Sequence, residues 1–433
     1  MMHLSERRGM NLQVCKVLGI FCLSLMARAS GADWPQFLGP HRDGVADESE
    51  AAIARTFPAE GPVIKWKTKL GTGFAGPVVA DGKVIVFHRV GDEARVEALD
   101  AESGKQLWSF GYATDYVDSF GFDNGPRASS TIAEGKVIVH GAEGVVHAIN
   151  LATGEKVWSY DTVKELQSEQ GFFGRASAPL IIGKRVIIIC GGRNAKGAAG
   201  VIALGLEDGK LAWQSVDDQA SYSSPVSKSD TLLCWMRNQI VVCDAADGRV
   251  YFQSHLCADM DASVNAATPI WCSADTFFTS ACYGVGAALW KIQEAGTPKN
   301  RAVKLQQLWA GENALDSHYG TPVLFNGNLY GFHGRQERGQ TLRCIRASDG
   351  KVMWESERVP GGGLLRARGI LIVVTEAGEL WLVEATPDKF NTLATAQILH
   401  AGHRSFPAFS NGVLYARDGK ELVAVELSAP SSK

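Results

Sequence analysis

The chain has 433 residues, of which 45% are hydrophobic and 21% charged, with 47 glycines and a formal net charge of −3. A chain this long buries a large apolar core, and a mildly acidic balance without a basic stripe makes it a poor nucleic-acid binder. Glycine in this number fits a fold built from turns.

The amino end differs from the rest. Basic Arg7, Arg8 and Lys16 precede the apolar run Val17 to Met26, and Ala27-Arg28-Ala29 follows. This pattern predicts a secretory signal peptide over residues 1–29, too short to span a bilayer and cut after Ala29 or shortly beyond. Phe21 stands before Cys22 where lipidation needs a small residue, so a lipid anchor is not expected. No later run resembles a membrane span, and the cleaved leader predicts a mature chain in the periplasm or outside the cell. Without the leader, 39 basic and 45 acidic residues remain. Residues 30–60 are read as an extended N-terminal segment, 61–428 as a repeat domain and 429–433 as a tail.

The repeat is visible in Ala98-Leu99-Asp100 with Gly104 and Trp108, Ala148-Ile149-Asn150 with Gly154 and Trp158, and Ala203-Leu204-Gly205 with Gly209 and Trp213. It returns as Asp244, Gly248 and Phe252, and as Gly350 and Trp354. Apolar, β-branched runs such as Val84-Ile85-Val86-Phe87 and Val186-Ile187-Ile188-Ile189 precede the turns, which is strand patterning. Asp bonds the backbone ahead of it and Gly takes positive φ, so the two flanking strands are neighbours and the Trp lies on the second. Outer-strand Trp residues are expected at 66, 108, 158, 213, 309 and 354, wedged between adjacent units; Phe252 substitutes in the fourth, and the seventh, around Thr392 to Leu399, has no aromatic.

A second landmark opens each unit: Pro77, Pro179, Pro225, Pro269, Pro322 and Pro407, with Ser130 and Leu364 filling two gaps. Their mean spacing of about 47 residues suits four short strands with turns. Pro withholds a ladder donor and belongs at the first residue of a strand, here the innermost. The eighth unit has only three strands before the chain ends, and Val63-Ile64-Lys65-Trp66-Lys67 offers the missing outer one. The predicted fold is all-β: an eight-bladed β-propeller of four-stranded antiparallel blades, closed by pairing of N- and C-terminal strands.

Cys234 and Cys243 flank a hairpin whose two-residue turn is placed at Asn238-Gln239, which sets them opposite each other as either a cross-strand disulfide or two small buried hydrophobes. No zinc spacing occurs among the cysteines, and His140 with His147 and His400 with His403 read as surface polarity rather than metal pairs. No hydrolase elbow, metalloprotease helix or phosphate loop is present, so neither catalytic residues nor a metal site are assigned.

Binding residues are expected where outer strands return to inner ones, just ahead of the Pro landmarks. Two of these connections are long, 22 residues from Trp108 to Ser130 and 21 from Trp158 to Pro179. They carry Tyr116, Phe120, Phe122, Asp123 and Arg127, then Phe172, Phe173 and Arg175. Tyr222, Asn265, His318, Tyr319, His403 and Arg404 occupy matching places. Together they are read as a funnel for an anionic or hydroxyl-rich ligand, or as a polar plug in which the arginines pair with carboxylates such as Asp123 and Asp316.

The repeat resembles the blade motif of pyrroloquinoline-quinone-type propellers over roughly residues 61–428. Trp34-Pro35-Gln36-Phe37-Leu38-Gly39-Pro40, Arg42-Asp43-Gly44, Gly125-Pro126-Arg127, Tyr222-Ser223-Ser224-Pro225 and Val383-Glu384-Ala385-Thr386-Pro387 are similar to exported bacterial PQQ-binding-like β-propeller repeat proteins. Resemblance to quinoprotein alcohol dehydrogenases implies a quinone held between a Trp and adjacent cysteines, with calcium and an Asp base. This chain has no adjacent cysteines. Resemblance to the lipoprotein subunit of the outer-membrane assembly machine implies a scaffold. The expectation is a non-catalytic, exported scaffold without a cofactor, binding an envelope protein partner or a polar or carbohydrate ligand. The alternatives are a PQQ- and calcium-dependent alcohol or sugar dehydrogenase, and a carbohydrate-binding propeller.

Overall fold

The computed structural model describes residues 32–50, 52–260, 263–297, 300–402 and 404–429. The leader assigned to 1–29, His403 and tail residues 430–433 lie outside the described residues. Among the described residues, strands form eight four-stranded antiparallel sheets, and helix is confined to short pieces such as Thr162–Leu166. Blades 1 to 7 span residues 78–113, 131–161, 180–215, 226–255, 270–311, 323–359 and 362–397. The eighth combines Ala408–Ser410, Val413–Arg417 and Glu421–Glu426 with Ile64–Lys69 from the other end of the domain. Trp66 lies opposite Ala424 and Lys67 opposite Val423, so the ring closes as the sequence predicts. Each landmark Pro immediately precedes an inner strand. The core is distributed as apolar layers between neighbouring blades; Ile138 and Val146 of blade 2, for example, pack with Val186 and Ile188 of blade 3.

The Trp and Gly of the repeat are joined across blades rather than within one. The indole of Trp66 covers Gly104, Trp108 covers Gly154, Trp158 covers Gly209, Trp213 covers Gly248 and Trp309 covers Gly350; a Cβ on any of these glycines would meet the ring at 2.5–2.8 Å. Each indole N–H donates to a carbonyl just ahead of that glycine, including Trp66 to Ala101 at 3.0 Å, Trp108 to Leu151 at 2.9 Å and Trp158 to Leu206 at 2.9 Å. Five of the eight outer strands therefore cap the turn of the next blade with an indole, which ties neighbouring blades together around the ring.

Around the hub, the residue before each landmark forms a partial belt of hydroxyls. The N–H of Gly76 donates to Ser129 Oγ at 3.0 Å, that of Ala178 to Ser224 Oγ at 3.0 Å, that of Ser224 to Thr268 Oγ1 at 3.1 Å and that of Thr268 to Thr321 Oγ1 at 3.0 Å.

The extended segment from Trp34 onward crosses this hub. Trp34 pairs with Val79 of blade 1, the N–H of Ile132 in blade 2 donates to Pro35, Gly44 and Ala46 bond Arg366 of blade 7, and Glu50 accepts from Asn411 and Gly412 of blade 8. Fully buried Arg42 donates to the carbonyls of Pro179 and Ala178 in blade 3 and to Gln36 Oε1, and burial pushes its pKa down to about 9.

Two expectations need correction. In the blade 4 hairpin, Trp235 pairs with Ile240, Cys234 with Val241 and Cys243 with Leu232, so the turn runs over Met236–Gln239 and the two cysteines are diagonal rather than opposite. Both are buried free thiols, and a hydrogen bond to Cys243 together with burial raises the Cys234 pKa. His140 and His147 do lie across a hairpin, with Val139 opposite His147 and Val146 opposite His140, but both are buried, not on the surface.

Candidate functional site

In a closed ring of antiparallel four-stranded blades, two sets of loops share one face: the connections between blades and the hairpins joining each blade's second and third strands. On this face lies a cavity of about 380 Å³. Its lining follows a rule. The third residue before the landmark is Phe74, Arg127, Ala176, Tyr222, Ala266, Tyr319, Gly361 and Arg404 around the ring, and all but Gly361 line the cavity. The next residue in each connection is small and buried: Ala75, Ala128, Ser177, Ser223, Ala267, Gly320, Gly362 and Ser405. Extended chain turns alternate side chains to opposite sides, so one position reads the cavity while the next packs between blades.

This alternation sorts the predicted residues. Arg127, Tyr222, Tyr319 and Arg404 line the cavity, joined by His318 one step earlier in its connection. Arg175 and Asn265 lie one position off the reading register and are buried. Arg175 is consumed by Ser168 Oγ at 2.8 Å and by the carbonyls of Ser168 and Glu143, which removes it from the predicted funnel. Asn265 donates to the carbonyl of Met236 at 3.0 Å. Tyr116 is buried beneath Gly174, and Asp123 fixes loop backbone by accepting from Gly73 and Gly125. Phe172 lines a second cavity of about 250 Å³ with Glu169, Gln219 and Arg237. Tyr222 lines both cavities.

Phe120, Phe122 and Phe173 of the two long connections also line the cavity, and several lining groups lie outside the predicted set: Phe37 from the hub-crossing segment, Phe74, Phe406, and Tyr283, Arg335, Gln336 and Glu337 from the hairpins of blades 5 and 6. Phe37 meets Phe406 edge-on at 5.0 Å. Guanidinium and phenyl groups alternate along one wall. Arg127 lies 5.0 Å from the Phe74 ring and 5.8 Å from Phe173, and Arg404 lies 5.8 Å from Phe74 and 5.1 Å from Phe122. Phe122 closes the circuit on Phe173 at 6.0 Å.

The charges balance. Arg127 pairs with Asp118 at 3.0 Å, Arg404 Nε with Glu376 at 3.3 Å, and Arg335 with Glu337 at 3.3 Å. The carboxylates are therefore Asp118, Glu376 and Glu337 rather than Asp123 and Asp316. Fully buried Asp118 also accepts the N–H groups of Phe120, Phe122 and Asp123, which shapes the long loop. Burial lowers the pKa of His318, so the imidazole is neutral, with Nδ1 against Gln336 Oε1 and Nε2 at 2.6 Å from the Tyr283 hydroxyl. Tyr319 donates to Glu376 at 2.5 Å. Tyr222 differs: its oxygen accepts the N–H groups of Phe172 at 2.9 Å and Phe173 at 3.0 Å, and burial raises its pKa. Its own proton is left to donate.

Residues 51–231 match the family model described as outer membrane protein assembly factor BamB. BamB from Moraxella catarrhalis superposes with a TM-score of 0.61 at 14% identity, covering 86% of this chain and 99% of that one. The described residues form a β-propeller whose repeats are PQQ-like over residues 51–231. A quinohemoprotein alcohol dehydrogenase from Comamonas testosteroni superposes on the propeller with a TM-score of 0.63 at 14% identity, covering 93% of this chain and 81% of that one. A europium-containing methanol dehydrogenase gives 0.63 at 12% identity, with 91% and 89% covered. At such identities the likeness is one of fold. No curated protein sequence matches the propeller.

Calcium with a quinone, the group implied by that resemblance, needs open oxygen ligands. In this cavity Asp118, Glu376 and Glu337 are each engaged by an arginine of the same chain, so the donor set does not fit a calcium ion. His400, Asp418 and Glu421 form the group of metal-ligating side chains found among the described residues, and none of them lines the cavity. A groove of about 720 Å³ lies between blades 4 and 5 on the opposite face, but its charged groups are occupied by pairs such as Arg301 with Glu294 and Lys291 with Asp275.

Proposed function

We propose that this propeller is an exported, non-catalytic scaffold of the cell envelope that captures a partner protein through its loop-rich face, without a cofactor. The observation that carries this reading is the cavity wall of Phe122, Arg404, Phe74, Arg127 and Phe173, whose arginines are already neutralised within the chain. A charge-balanced aromatic cavity favours apolar anchors with a few fixed hydrogen bonds over a highly charged ligand. Phe120 and Phe122 are each 53% exposed at its rim, and exposed apolar rings grouped at a cavity mark interaction sites. The family-model description names an outer-membrane assembly factor, which supports an envelope partner and a periplasmic location. Among the described residues no helix is long and apolar enough to cross a membrane.

The test places a photo-crosslinking amino acid at Phe122 in cells and at Val352, an exposed outer-strand position, as control. Adducts with an envelope protein are expected at Phe122 and not at Val352, and Phe173→Ala should remove them. Equal labelling at both positions would defeat the reading. Saturable binding of pyrroloquinoline quinone with calcium, accompanied by dye reduction with simple alcohols, would replace it with the dehydrogenase alternative; binding of glycans dependent on Tyr222 would favour the carbohydrate one.

A further inference from the structure

The cavity constrains what the partner inserts, and this deduction rests on the protein-binding reading above. Phe37, from the segment that crosses the hub, meets Phe406 edge-on at 5.0 Å and both line the cavity, which presents apolar surface to a group that enters it. Three arginines face three carboxylates, which leaves no net charge to attract an anion. The remaining polar capacity is mostly donor. Tyr222 has both acceptor sites filled by backbone N–H groups and must donate its proton, and Arg404 binds Glu376 through Nε with its guanidinium over the Phe74 and Phe122 rings at 5.8 and 5.1 Å. An uncharged ligand rich in acceptors and carrying an apolar body meets this description, and a peptide backbone with a large side chain is such a ligand.

The second cavity indicates how that backbone runs. It lies across the tongue Gly171-Phe172-Phe173-Gly174, whose end glycines have φ of 68° and 71° and whose centre hangs on the Tyr222 hydroxyl. Phe173 faces one cavity, Phe172 the other, and Tyr222 lines both. A segment crossing the tongue would pass its carbonyls over Tyr222.

We propose that the face binds an uncharged, extended peptide segment of the partner, seating one aromatic or large aliphatic side chain among Phe74, Phe122 and Phe173 and offering a backbone carbonyl to the Tyr222 hydroxyl.

The experiment uses the mature protein and blocked pentapeptides Ac-Gly-Ser-X-Ser-Gly-NH2, with X as Trp, Phe, Leu, Ala or Glu, followed by saturation-transfer NMR. Trp and Phe should bind at least roughly tenfold more tightly than Ala, the ratio expected from burying one large apolar side chain, and Glu should bind no better than Ala. Phe173→Ala should flatten the dependence on X. Tyr222→Phe should weaken every peptide by a similar factor, because it removes a backbone contact. Circular dichroism identical to that of the parent shows that either variant is folded. Preference for Glu would overturn the proposal in favour of an anion site, and absence of any dependence on X would overturn it outright. Envelope-protein adducts at Phe122 combined with no peptide preference would sink this inference alone; loss of both would sink the scaffold reading as well.

Discussion

The guanidinium of Arg42 donates to the carbonyl of Pro179, 137 residues downstream, at 2.7 Å. This bond ties the hub-crossing segment to the inner strand of blade 3, and a second donation to Ala178 at 3.0 Å completes a fork. A buried guanidinium is costly unless its donors are taken, and here both terminal amino groups are bonded while Nε is not. Arg42→Met keeps the length of the side chain but abandons both carbonyls. The expected loss is about 2–4 kcal/mol, read from urea denaturation followed by tryptophan fluorescence. A change under about 0.5 kcal/mol would mean the segment contributes nothing to closing the ring.

The pairing of each indole with a glycine of the next blade gives a sharper test. Gly154 has φ of 77° and the Trp108 ring 2.8 Å from where a Cβ would be; Gly135 has φ of 70° with open space around it. Both substitutions to Ala suffer the backbone penalty of about 1–2 kcal/mol, but only Gly154→Ala also displaces an indole, which adds about 1–3 kcal/mol. Equal denaturation midpoints for the two variants would refute the cross-blade wedge.

Much of this architecture is legible in the sequence because its determinants are local and recur. Asp100 and Gly104 announce a turn wherever they stand, and Pro77 cannot lie inside a ladder. The reading position was legible in part. Tyr222, Tyr319 and Arg404 stand three residues before their landmarks, and so does Arg127. Matching Arg175-Ala176-Ser177 to Arg127-Ala128-Ser129 by composition slips the register by one, and in extended chain a slip of one sends a side chain to the opposite side. Ala176, not Arg175, is the counterpart of Arg127. Phe37 was hidden for a different reason: it comes from the segment before the first blade, and nothing local in Trp34 to Gly44 tells that it crosses the hub. Tyr283 and Arg335 follow from topology alone, since hairpins between second and third strands must share the face of the inter-blade loops.

The diagonal placement of Cys234 and Cys243 predicts redox behaviour. Diagonal neighbours on adjacent strands have Cα atoms roughly 7–8 Å apart, beyond the range of an unstrained disulfide. Both should be alkylated when the protein is unfolded in the absence of reductant, and both should resist alkylation while it is folded. A mass deficit of two hydrogens in the fragment spanning them, present without reductant and abolished by it, would show that the hairpin shifts register by two to bring them opposite.

Acid sensitivity follows from histidines that the fold keeps neutral. Burial pushes the pKa of His140 down to about 3, with Arg175 acting in the same direction, and burial pushes that of His147 down to about 4 with help from Lys156. The unfolded chain binds protons at these side chains near pH 6.5 while the folded one does not, so their contribution is complete above that value and is lost as pH falls toward the folded values. Each histidine should remove about 1.4 kcal/mol per pH unit across that window. Buried carboxyls with raised pKa, Glu143, Asp43 and Glu50 among them, oppose this at lower pH, because their folded forms take up protons first. The histidine part is isolated by comparing the parent with His140→Leu in urea titrations at pH 7.5, 6.5, 5.5 and 4.5. Parallel curves for the two proteins would mean that His140 is already protonated, or open to water, in the folded ring; convergence as pH falls is the expected result.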